Sequence, residues 1–563
     1  MRMMSGFPWN FVACKRSRPW RHRVACWLVP LLFSGVVRAQ SVGTGRYLPE
    51  APDDPPGIPA PHTPGAAPRG APVTRGAFTA VQVNVDALGA NVLGDAANEP
   101  SMVIDPTNPS RIAIGWRQFD TIASNFRQAG IGYSVDGGAT WTFPGVLDPG
   151  QFRSDPVLDA DADGNFYYSS LSSVTTAEVF KSVDGGATWS SPVAAFGGDK
   201  QWIAVDRSNG PGGGFIYQAW NRQFSCCAGA DFTRSVDGGA SFETPITMPL
   251  AAIKWGTLDV SSSGTLYLAG AALNQQSHLF QKSTNAQDSA QTPGFLASSQ
   301  TIDLGGLTIF GQSPNPGGLL GHVWIAADPR SGAFADWVYV LASVDPPGAD
   351  RLDVMFIRSE DGGATWTAPI RVNDDPPLVT SNQWFGTMSV APNGRIDAVW
   401  NDTRNSLNAV DSEVWYAYSI DAGDHWAPST PVTPMYDPTL GYPNQNKIGD
   451  YYHMISDENG ANLAFAATFN GEQDVYFMRI VPDCNGNGVH DGNDLMSGAS
   501  MDCNANFTPD DCEPLYASIS AMTLALRKPS ELGDDICLFD VNGDTLVDGR
   551  DIQPFVSDRL LAP

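Results

Sequence analysis

One eight-residue pattern occurs five times in this chain and restricts its fold more than any other feature. The copies read SVDGGATW, SVDGGATW, SVDGGASF, SEDGGATW and SIDAGDHW, and they begin at Ser134, Ser182, Ser235, Ser359 and Ser419. In each copy the Asp carboxylate can accept hydrogen bonds from its own turn, glycine supplies a positive φ, and the last aromatic residue can anchor the turn to a sheet. The pattern therefore predicts a series of repeated antiparallel sheets.

Strand-like segments recur between these turns in a constant order. A middle strand occurs seven times, at residues 112–116, 166–170, 215–220, 266–270, 338–342, 396–400 and 463–467. A repeating unit of four short strands is one blade of a β-propeller, so we predict an all-β, seven-bladed propeller over residues 78–481. The seventh unit lacks its outer strand, and we expect Thr79–Asp86 to supply it and close the ring.

The five turns resemble the Asp-box, or BNR, repeat of the sialidase-like β-propellers, and the resemblance covers residues 78–481. It implies a glycoside hydrolase of the exo-sialidase type that acts on extracellular glycans. Sialidases have six blades, which is the alternative architecture, and they carry a Phe/Tyr-Arg-Ile-Pro segment that this chain lacks before its first box. Asp-boxes also occur in propellers without activity, so the alternative function is a non-catalytic glycan- or protein-binding surface or adhesion propeller.

The chain begins with a stretch typical of export. Residues 1–39 hold seven basic side chains and no acidic one, with an apolar run at 24–37, which predicts a signal peptide cut near Ala39. An uncleaved membrane anchor is the alternative, although the run is shorter than a spanning helix needs. Residues 40–77 are rich in Pro and Ala and predict a linker. We expect a secreted or cell-surface monomer without a membrane span after signal removal, and the net charge of −27 argues against nucleic-acid binding.

Candidate catalytic groups come from the starts of inner strands, which surround the mouth of the central channel in a propeller. Glu99, Asp155 and Asp199 are the carboxylates at these starts and are candidates for paired acid and base work. Tyr451, beside Asp450, is a candidate nucleophile because the resemblance to sialidases implies one.

Candidate substrate-binding groups lie at the same face. The ends of second strands carry Arg117, Arg222 and Arg404, which can converge on the carboxylate of an anionic sugar or can each pair with a neighbouring Asp. Inner-strand starts add the aromatic candidates Trp202, Trp384 and His453, for which packing between blades is the alternative role.

The C-terminal region has a different composition and predicts calcium binding. Oxygen-bearing side chains recur at positions 1, 3, 5, 9 and 12 of three loops, as Ca²⁺ requires. The three sets are Asp483, Asn485, Asn487, Asp491 and Asp494; Asp502, Asn504, Asn506, Asp510 and Glu513; and Asp540, Asn542, Asp544, Asp548 and Asp551. Residues 482–513 resemble thrombospondin type-3 calcium repeats, whereas residues 514–563 resemble half of a dockerin-like module, which implies a cohesin-like partner.

Six cysteines follow the predicted signal peptide. Cys226 and Cys227 are adjacent, so they either form a vicinal disulfide or pair with nothing. Four more lie among the calcium loops and allow three pairings, of which we favour Cys484 with Cys503 and Cys512 with Cys537.

Overall fold

The computed structural model describes residues 54–56, 70–249, 253–348, 350–377, 380–513, 519–528, 530, 537–541 and 546–561. The predicted signal peptide and most of the predicted linker lie outside these residues, as do Asn542 and Asp544 of the third calcium loop. No helix in the described ranges is both long enough and apolar enough to cross a bilayer.

Thirty strands lie in the described part of the chain. The chain starts with β1 (Val73–Arg75) and β2 (Phe78–Gln82). Blade one contains β3 (Ala96–Ile104), β4 (Ile112–Phe119), β5 (Gln128–Ser134) and β6 (Val146–Leu147). Blade two contains β7 (Ser154–Ala160), β8 (Phe166–Ser173), β9 (Thr176–Ser182) and β10 (Val193–Ala194). Blade three contains β11 (Trp202–Val205), β12 (Ile216–Ala219) and β13 (Phe232–Ser235).

The second half of the ring continues the same order. Blade four contains β14 (Ile253–Val260), β15 (Leu266–Ala272), β16 (His278–Ser283) and β17 (Gln300–Ile302), and a hairpin of β18 (Phe310–Gln312) and β19 (Asn315–Leu319) follows it. Blade five contains β20 (Trp324–Ala327), β21 (Val338–Val344), β22 (Asp353–Ser359) and β23 (Ile370–Arg371). Blade six contains β24 (Gln383–Val390), β25 (Ile396–Asp402), β26 (Glu413–Ser419) and β27 (Thr430–Pro431). Blade seven contains β28 (His453–Asp457), β29 (Gly460–Ala467) and β30 (Asp474–Ile480).

Three α-helices follow the propeller strands: α1 (Asp491–Ser497), α2 (Ile519–Arg527) and α3 (Ile552–Leu561). Short 3-10 helices occupy Arg222–Phe224, Gly332–Phe334 and Asp510–Cys512. The blade sheets are antiparallel, and blades one to six run from an inner to an outer strand in chain order. The fold is therefore the predicted seven-bladed propeller, not the six-bladed alternative.

The ring closes as the sequence predicts. Strand β2 pairs antiparallel with β30, with Ala80 opposite Met478 and Gln82 opposite Tyr476, so the N-terminal strand completes blade seven. Two details differ from the prediction. Strand β2 ends at Gln82 instead of Asp86, and β1, which falls within the predicted linker, adds a fifth strand outside β2.

Blade three departs from the four-strand pattern. Its sheet has three strands in the described residues, and the outer position is taken by an irregular segment that forms an isolated bridge between Ile246 and Phe232.

The repeated eight-residue turns have the predicted chemistry. In the first box the Asp136 carboxylate accepts the N–H of Thr140 at 2.9 Å and the hydroxyl of Ser134 at 2.7 Å. The ring of Trp141 lies 5.5 Å from the ring of Phe477 in blade seven, so the turn anchors two blades. Gly138 has a φ of +89° and a β-carbon there would collide with Phe477. These turns join third to fourth strands, so they lie at the opposite end of the blades from the inner-strand starts.

Candidate functional site

The inner strands share an unusual backbone position at the channel mouth. Five inner strands each have a residue with positive φ just before their central part. These residues and their φ values are Glu99 (57°), Asp155 (51°), Lys200 (56°), Trp255 (54°) and Phe385 (59°). In blades one, two, four and six the strand register shifts at this position. Positive φ is costly for residues with a β-carbon and is held only where the surroundings enforce it. The bulges therefore direct equivalent side chains from successive blades towards the channel.

Charged side chains fill one half of this mouth and form a network around Lys200. Its Nζ atom lies 3.2 Å from Oε1 of Glu99, 3.2 Å from Oδ2 of Asp155 and 2.6 Å from Oδ2 of Asp450. On the far side of Glu99, Nε of Arg117 approaches Oε2 at 2.9 Å. All five side chains are buried. The structure therefore brings together Glu99, Asp155 and Arg117 of the predicted site, with Lys200 as the residue that joins them.

Four more residues complete what we call the mouth cluster. Lys447 Nζ contacts Oδ2 of Asp450 at 2.7 Å, and Asp199 interacts electrostatically with both Arg127 and Lys254. The whole cluster consists of Glu99, Arg117, Arg127, Asp155, Asp199, Lys200, Lys254, Lys447 and Asp450, and every member is buried. Sequence reasoning did not identify Arg127 or Lys447, and it placed Lys254 at an inner-strand start without assigning it a role. Their only signal is a basic residue near a strand start, which is common on any protein surface.

Burial and neighbouring charges drive the carboxyl pKa values of the mouth cluster apart. Burial raises the pKa of Glu99 to about 8, although Arg117 and Lys200 oppose the rise. Burial acts on Asp155 in the same way, but Lys200 and Arg117 outweigh it and lower the pKa of Asp155 below its usual value. For Asp450 the attraction of Lys200 and Lys447 outweighs burial and lowers the pKa well below the usual range. Glu99 and Asp155, which both contact the ammonium group of Lys200, thus favour opposite protonation states.

The mouth cluster carries an excess of positive charge at neutral pH. Five basic side chains face four acidic ones; burial raises the pKa of Glu99 and lowers that of Lys447, so one group of each sign is shifted towards its neutral form. Burial lowers the pKa of Lys254 to about 8 and that of Arg127 to about 9, so both remain mainly protonated at pH 7. A buried surplus of cations in a chain of net charge −27 is suited to an anionic ligand.

An aromatic layer lies below the mouth cluster and fills the channel. The indole of Trp202 lies edge-on to Trp324 at 5.2 Å and to Tyr451 at 5.3 Å, and His453 stacks on Trp324 at 5.6 Å. The Tyr451 hydroxyl donates to the carbonyl oxygen of Pro156 at 2.8 Å, and burial raises its pKa well above 10. Trp202, His453 and Tyr451 therefore occupy the channel, where their rings pack against one another.

His322 borders both the aromatic layer and the mouth cluster. Its ring lies 5.1 Å from that of Tyr451, it is 1% exposed, and neither ring nitrogen has a hydrogen-bond partner among the described residues. Burial lowers the pKa of His322 to about 3, so the ring is neutral. A buried imidazole without partners costs free energy that a ligand hydroxyl can recover.

The β18–β19 hairpin covers the mouth. The backbone N–H of Leu319 donates to Oδ1 of Asp450 at 2.8 Å, and Nδ2 of Asn315 donates to the carbonyl oxygen of Gly449 at 2.8 Å. Phe310 and Leu319 pack on Trp255. The cavity beside Lys200 and Lys254 has a volume of about 20 Å³, enough for one water molecule. The hairpin thus covers the site in this structure.

Three predicted substrate-binding residues have other surroundings. Arg222 pairs with Asp231 at 2.6 Å, and Arg404 pairs with Asp402 at 2.8 Å. Trp384 is fully buried, packs on Phe385 at 4.5 Å between ring centres and donates to the hydroxyl of Ser412 at 3.1 Å. The three arginines therefore contact different acids, and only Arg117 belongs to the mouth cluster.

Cys226 and Cys227 form a vicinal disulfide in the loop after β12. The N–H of Cys226 donates to the carbonyl oxygen of Gly197, and Ser225 bridges to Gly198. The loop is thereby attached to the segment that leads into Asp199 and Lys200.

The C-terminal disulfides differ from the expected pairing. The bonds join Cys484 to Cys512 and Cys503 to Cys537. The sequence prediction was wrong because Cys484 and Cys503 occupy the same place in two successive loops, where each N–H donates to the ninth-position Asp of its own loop. Because Cys484 and Cys503 hold equivalent positions in the repeat, their side chains do not face each other. Cys484 bonds to Cys512 and Cys503 bonds to Cys537, each in a later segment of the chain.

The first two C-terminal loops have the oxygen donors that Ca²⁺ prefers, in matching arrangements. In one loop Asn485 and Asn487 direct their side-chain amides to the carboxylate of Asp494, at 3.2 and 2.9 Å. In the next, Asn504 and Asn506 contact Glu513 in the same way. The side chains at positions 3, 5 and 12 thus lie together in each loop, and their residue types are those that supply oxygen ligands to Ca²⁺. Of the third loop only Asp540, Asp548 and Asp551 belong to the described residues.

These loops pack on blade six. The Nε2 atom of His490 lies 2.8 Å from the hydroxyl of Tyr416, which donates to Asp397. Arg395 joins Asp397 to Asn493 of α1. His490 is fully buried, so residues 482–513 and the propeller share a small polar core.

Comparisons with known proteins find similarity only to solved structures, at low sequence identity. No protein-family model and no curated protein sequence matches the chain. Among solved structures, a protein of unknown function from Dyadobacter fermentans is 14% identical, with 72% of this chain and 98% of that one covered and a TM-score of 0.39. A polysaccharide lyase of family PL25, an ulvan lyase bound to -[GlcA(1-4)Rha3S]-, is 11% identical, with 68% and 93% covered and a TM-score of 0.39. A Trypanosoma rangeli sialidase is 11% identical, with 72% and 59% covered and a TM-score of 0.36.

Proposed function

We propose that this protein is an exported, carbohydrate-active propeller that hydrolyses glycosidic bonds of acidic extracellular glycans at the mouth cluster. The observation that carries the proposal is the pair Glu99 and Asp155. Both contact the ammonium group of Lys200, yet the pKa of Glu99 is raised to about 8 while that of Asp155 is lowered. Carboxyl groups whose pKa values are driven apart are suited to acid and base roles at the same pH.

Each group has a distinct part in the proposed reaction. Glu99 holds a proton at neutral pH and donates it to the leaving oxygen of the glycosidic bond. Asp155, ionised, acts from the other side as the nucleophile or as the base that activates water. The surplus cations of the mouth cluster bind the acidic group of the sugar, and His322 offers its free ring nitrogens to a sugar hydroxyl. Tyr451 packs the channel in this scheme, since its hydroxyl is engaged by Pro156.

Access to the site requires the β18–β19 hairpin to move. A cavity of about 20 Å³ is far below the volume of a sugar-binding pocket. Only a few hydrogen bonds hold the hairpin to the segment before β28, among them the N–H of Gly317 to the carbonyl oxygen of Asn446 at 2.7 Å. Displacing the hairpin would remove the Leu319 N–H from Asp450, which stays paired with Lys200 and Lys447, and would uncover Trp255 as a surface on which a sugar ring can stack.

A second function is favoured by a different observation. The mouth is covered and Trp202, Trp324 and His453 fill the channel, which is the arrangement of a propeller that binds glycans or proteins without cleaving them. In that case the mouth cluster holds the blades together, and ligands bind elsewhere on the propeller.

The C-terminal region would serve attachment. Ca²⁺ in its loops would order residues 482–513, and the segment 514–563 would bind a cohesin-like partner at the cell surface. The propeller acts as a monomer in this proposal. The support is the matching arrangement of the first two loops, in which the side-chain amide at position 5 lies beside the carboxylate at position 12.

The test combines turnover with binding on the intact protein. Sialosides and acidic plant and algal glycans are incubated with wild type, Glu99→Gln, Asp155→Asn and the control Asp259→Asn, a carboxylate of blade four outside the mouth cluster. The proposal expects new reducing ends from wild type and the control, and binding without cleavage by Glu99→Gln. Binding to a glycan that is the same in all four proteins, with no turnover by any, would favour the non-catalytic alternative.

A further inference from the structure

The small cavity beside the mouth cluster lies between blades three and four, and its wall combines positive charge with an unused hydrogen-bond donor. Its volume is about 20 Å³. Blade three contributes Lys200 and Trp220 to the wall, and blade four contributes Lys254 and Trp255. These four side chains are at most 4% exposed, so their polar atoms have little access to solvent.

The cavity has cationic groups in its wall and no anionic ones. Lys200 and Lys254 both line it, whereas none of the described residues around it is an Asp or a Glu. The ammonium group of Lys200 already contacts three carboxylates elsewhere in the mouth cluster. That of Lys254 lies 3.6 Å from the centre of the Trp255 ring, and Asp199 attracts it from outside the wall. The electrostatic potential in the cavity is therefore positive and is set mainly by Lys254.

Trp220 adds a hydrogen-bond donor to the wall. Its side chain is 2% exposed, and its Nε1 atom has no acceptor among the described residues. The one side-chain hydroxyl in the described wall, that of Thr257, already accepts the N–H of Ile325 at 3.0 Å. An indole N–H that is buried without an acceptor costs free energy, which a bound acceptor recovers. The wall thus has a buried donor to offer to a ligand.

We propose that this cavity is a binding site for a monatomic anion, chloride in ordinary salt solutions, held by the ammonium group of Lys254 and the indole N–H of Trp220. Burying an ion is favourable only where opposite charge and hydrogen-bond donors replace its water, and the wall supplies both. The volume admits one atom of about the size of a water molecule and excludes polyatomic anions such as sulfate. A water molecule also fits by size, but it does not offset the charge of Lys254.

The anion would link two neighbouring blades. Trp220 directly follows β12 of blade three and Lys254 lies in β14 of blade four, so an ion between them contacts both sheets. Blade three has only three strands in the described part of the chain, which leaves it fewer contacts than the other blades. The inference does not rest on glycan cleavage, because the ion binds with no glycan present.

Urea unfolding of the intact protein, followed by tryptophan fluorescence, measures the effect of the ion on stability. Sodium chloride is replaced stepwise by sodium gluconate, whose anion is too large for the cavity, so that the ionic strength and its general screening stay constant. A ligand that binds only the folded state raises the stability as its concentration rises. We expect the urea midpoint of wild type to rise with the chloride concentration.

Two variants test the two groups that hold the ion. Lys254→Met keeps most of the length of the side chain without its charge, and it should abolish the dependence of the midpoint on chloride. Trp220→Phe keeps an aromatic ring without the N–H, and it should need several-fold more chloride for the same rise. Lys282→Met is the matched control in blade four, since that ammonium group donates to the carbonyl oxygen of Gly362 at 2.7 Å, outside the cavity. It should respond to chloride as wild type does.

A wild-type midpoint that is the same in chloride and in gluconate would overturn the proposal, because the cavity would then hold no anion. An equal response to chloride in wild type and Lys254→Met would also overturn it, because the ion would then bind elsewhere. Should Lys254→Met fail to fold, Trp220→Phe decides. A weaker response than that of wild type supports the proposal, and an unchanged response overturns it.

Discussion

Replacing Glu99 with Gln tests the electrostatics of the mouth cluster through the stability of the fold. Gln has nearly the shape of a protonated Glu, so it imitates the neutral form that burial favours. Glu99 is fully buried and lies between Lys200 and Arg117. If the side chain is neutral in the folded protein at pH 5 to 7, the Gln variant should be about as stable as wild type at the lower end of this range.

The magnitude follows from the two pKa values of Glu99. The folded protein keeps the proton up to about pH 8, whereas the unfolded chain releases it near pH 4.5. Between these values the folded state binds more protons, so the free energy of unfolding of wild type falls as pH rises, by about 1.4 kcal/mol per pH unit for this group. The Gln variant lacks this loss. Its stability relative to wild type should therefore rise by about 5 kcal/mol between pH 4.5 and 8.

Urea unfolding followed by tryptophan fluorescence measures this difference at pH 5, 6, 7 and 8. Asp155→Asn is the matched control, because Lys200 and Arg117 hold the pKa of Asp155 below its usual value. That change leaves buried cations uncompensated, so it should cost about 3 to 5 kcal/mol at neutral pH and progressively less as pH falls through 3.8. A Glu99→Gln variant that is several kcal/mol less stable than wild type throughout would show that Glu99 is ionised, and would refute the reasoning.

The remaining predictions concern packing and the C-terminal region. Trp202→Ala removes the centre of the aromatic layer and should lower the free energy of unfolding by about 3 to 5 kcal/mol. Val135→Ala, at an exposed turn position, is the control and should leave the free energy of unfolding unchanged. Equal urea midpoints for the two variants would show that the aromatic layer does not stabilise the fold. Asp494→Asn should speed amide hydrogen exchange in residues 483–500 in the presence of Ca²⁺ while the blades stay protected, and equal loss of protection in both would contradict separate units. Burial lowers the pKa of His490 to about 4, so protonation of the unfolded chain below pH 6.5 should weaken the packing of α1 on blade six as pH falls towards 4. His490→Gln should remove this pH dependence, and an unchanged exchange profile of α1 would count against it.

Most of the propeller could be predicted because its determinants are local and repeated. The Asp-box encodes its own turn through Asp136 and Gly138, and five copies define the phase of the strands on either side. Closure by the N-terminal strand followed from counting, since blade seven had one strand too few. Strand β1 was missed because a three-residue edge strand in a Pro-rich segment has no periodic signal.

The site was harder to predict because it depends on contacts between distant parts of the chain. Topology identified Glu99 and Asp155 as members of the site, but it did not show that Lys200 contacts both of them. Nor did it show that Lys447 contacts Asp450. The β18–β19 hairpin lies between two blades without a repeat motif, so nothing in the sequence indicates that it covers the mouth. Arg222 and Arg404 follow the alternative prediction that each arginine pairs with a neighbouring Asp, because each pairs with an acid of its own blade.

The release of new reducing ends from acidic glycans, measured from pH 4 to pH 10 with wild type and Glu99→Gln, tests the central claim most directly. If Glu99 is the acid at the mouth of the channel, wild type should cleave at least one such glycan and lose activity as pH rises past about 8. Glu99→Gln should bind the same glycan and release little or no product. Cleavage by Glu99→Gln at the wild-type rate would contradict the account, and so would the absence of cleavage by wild type across the whole panel and pH range.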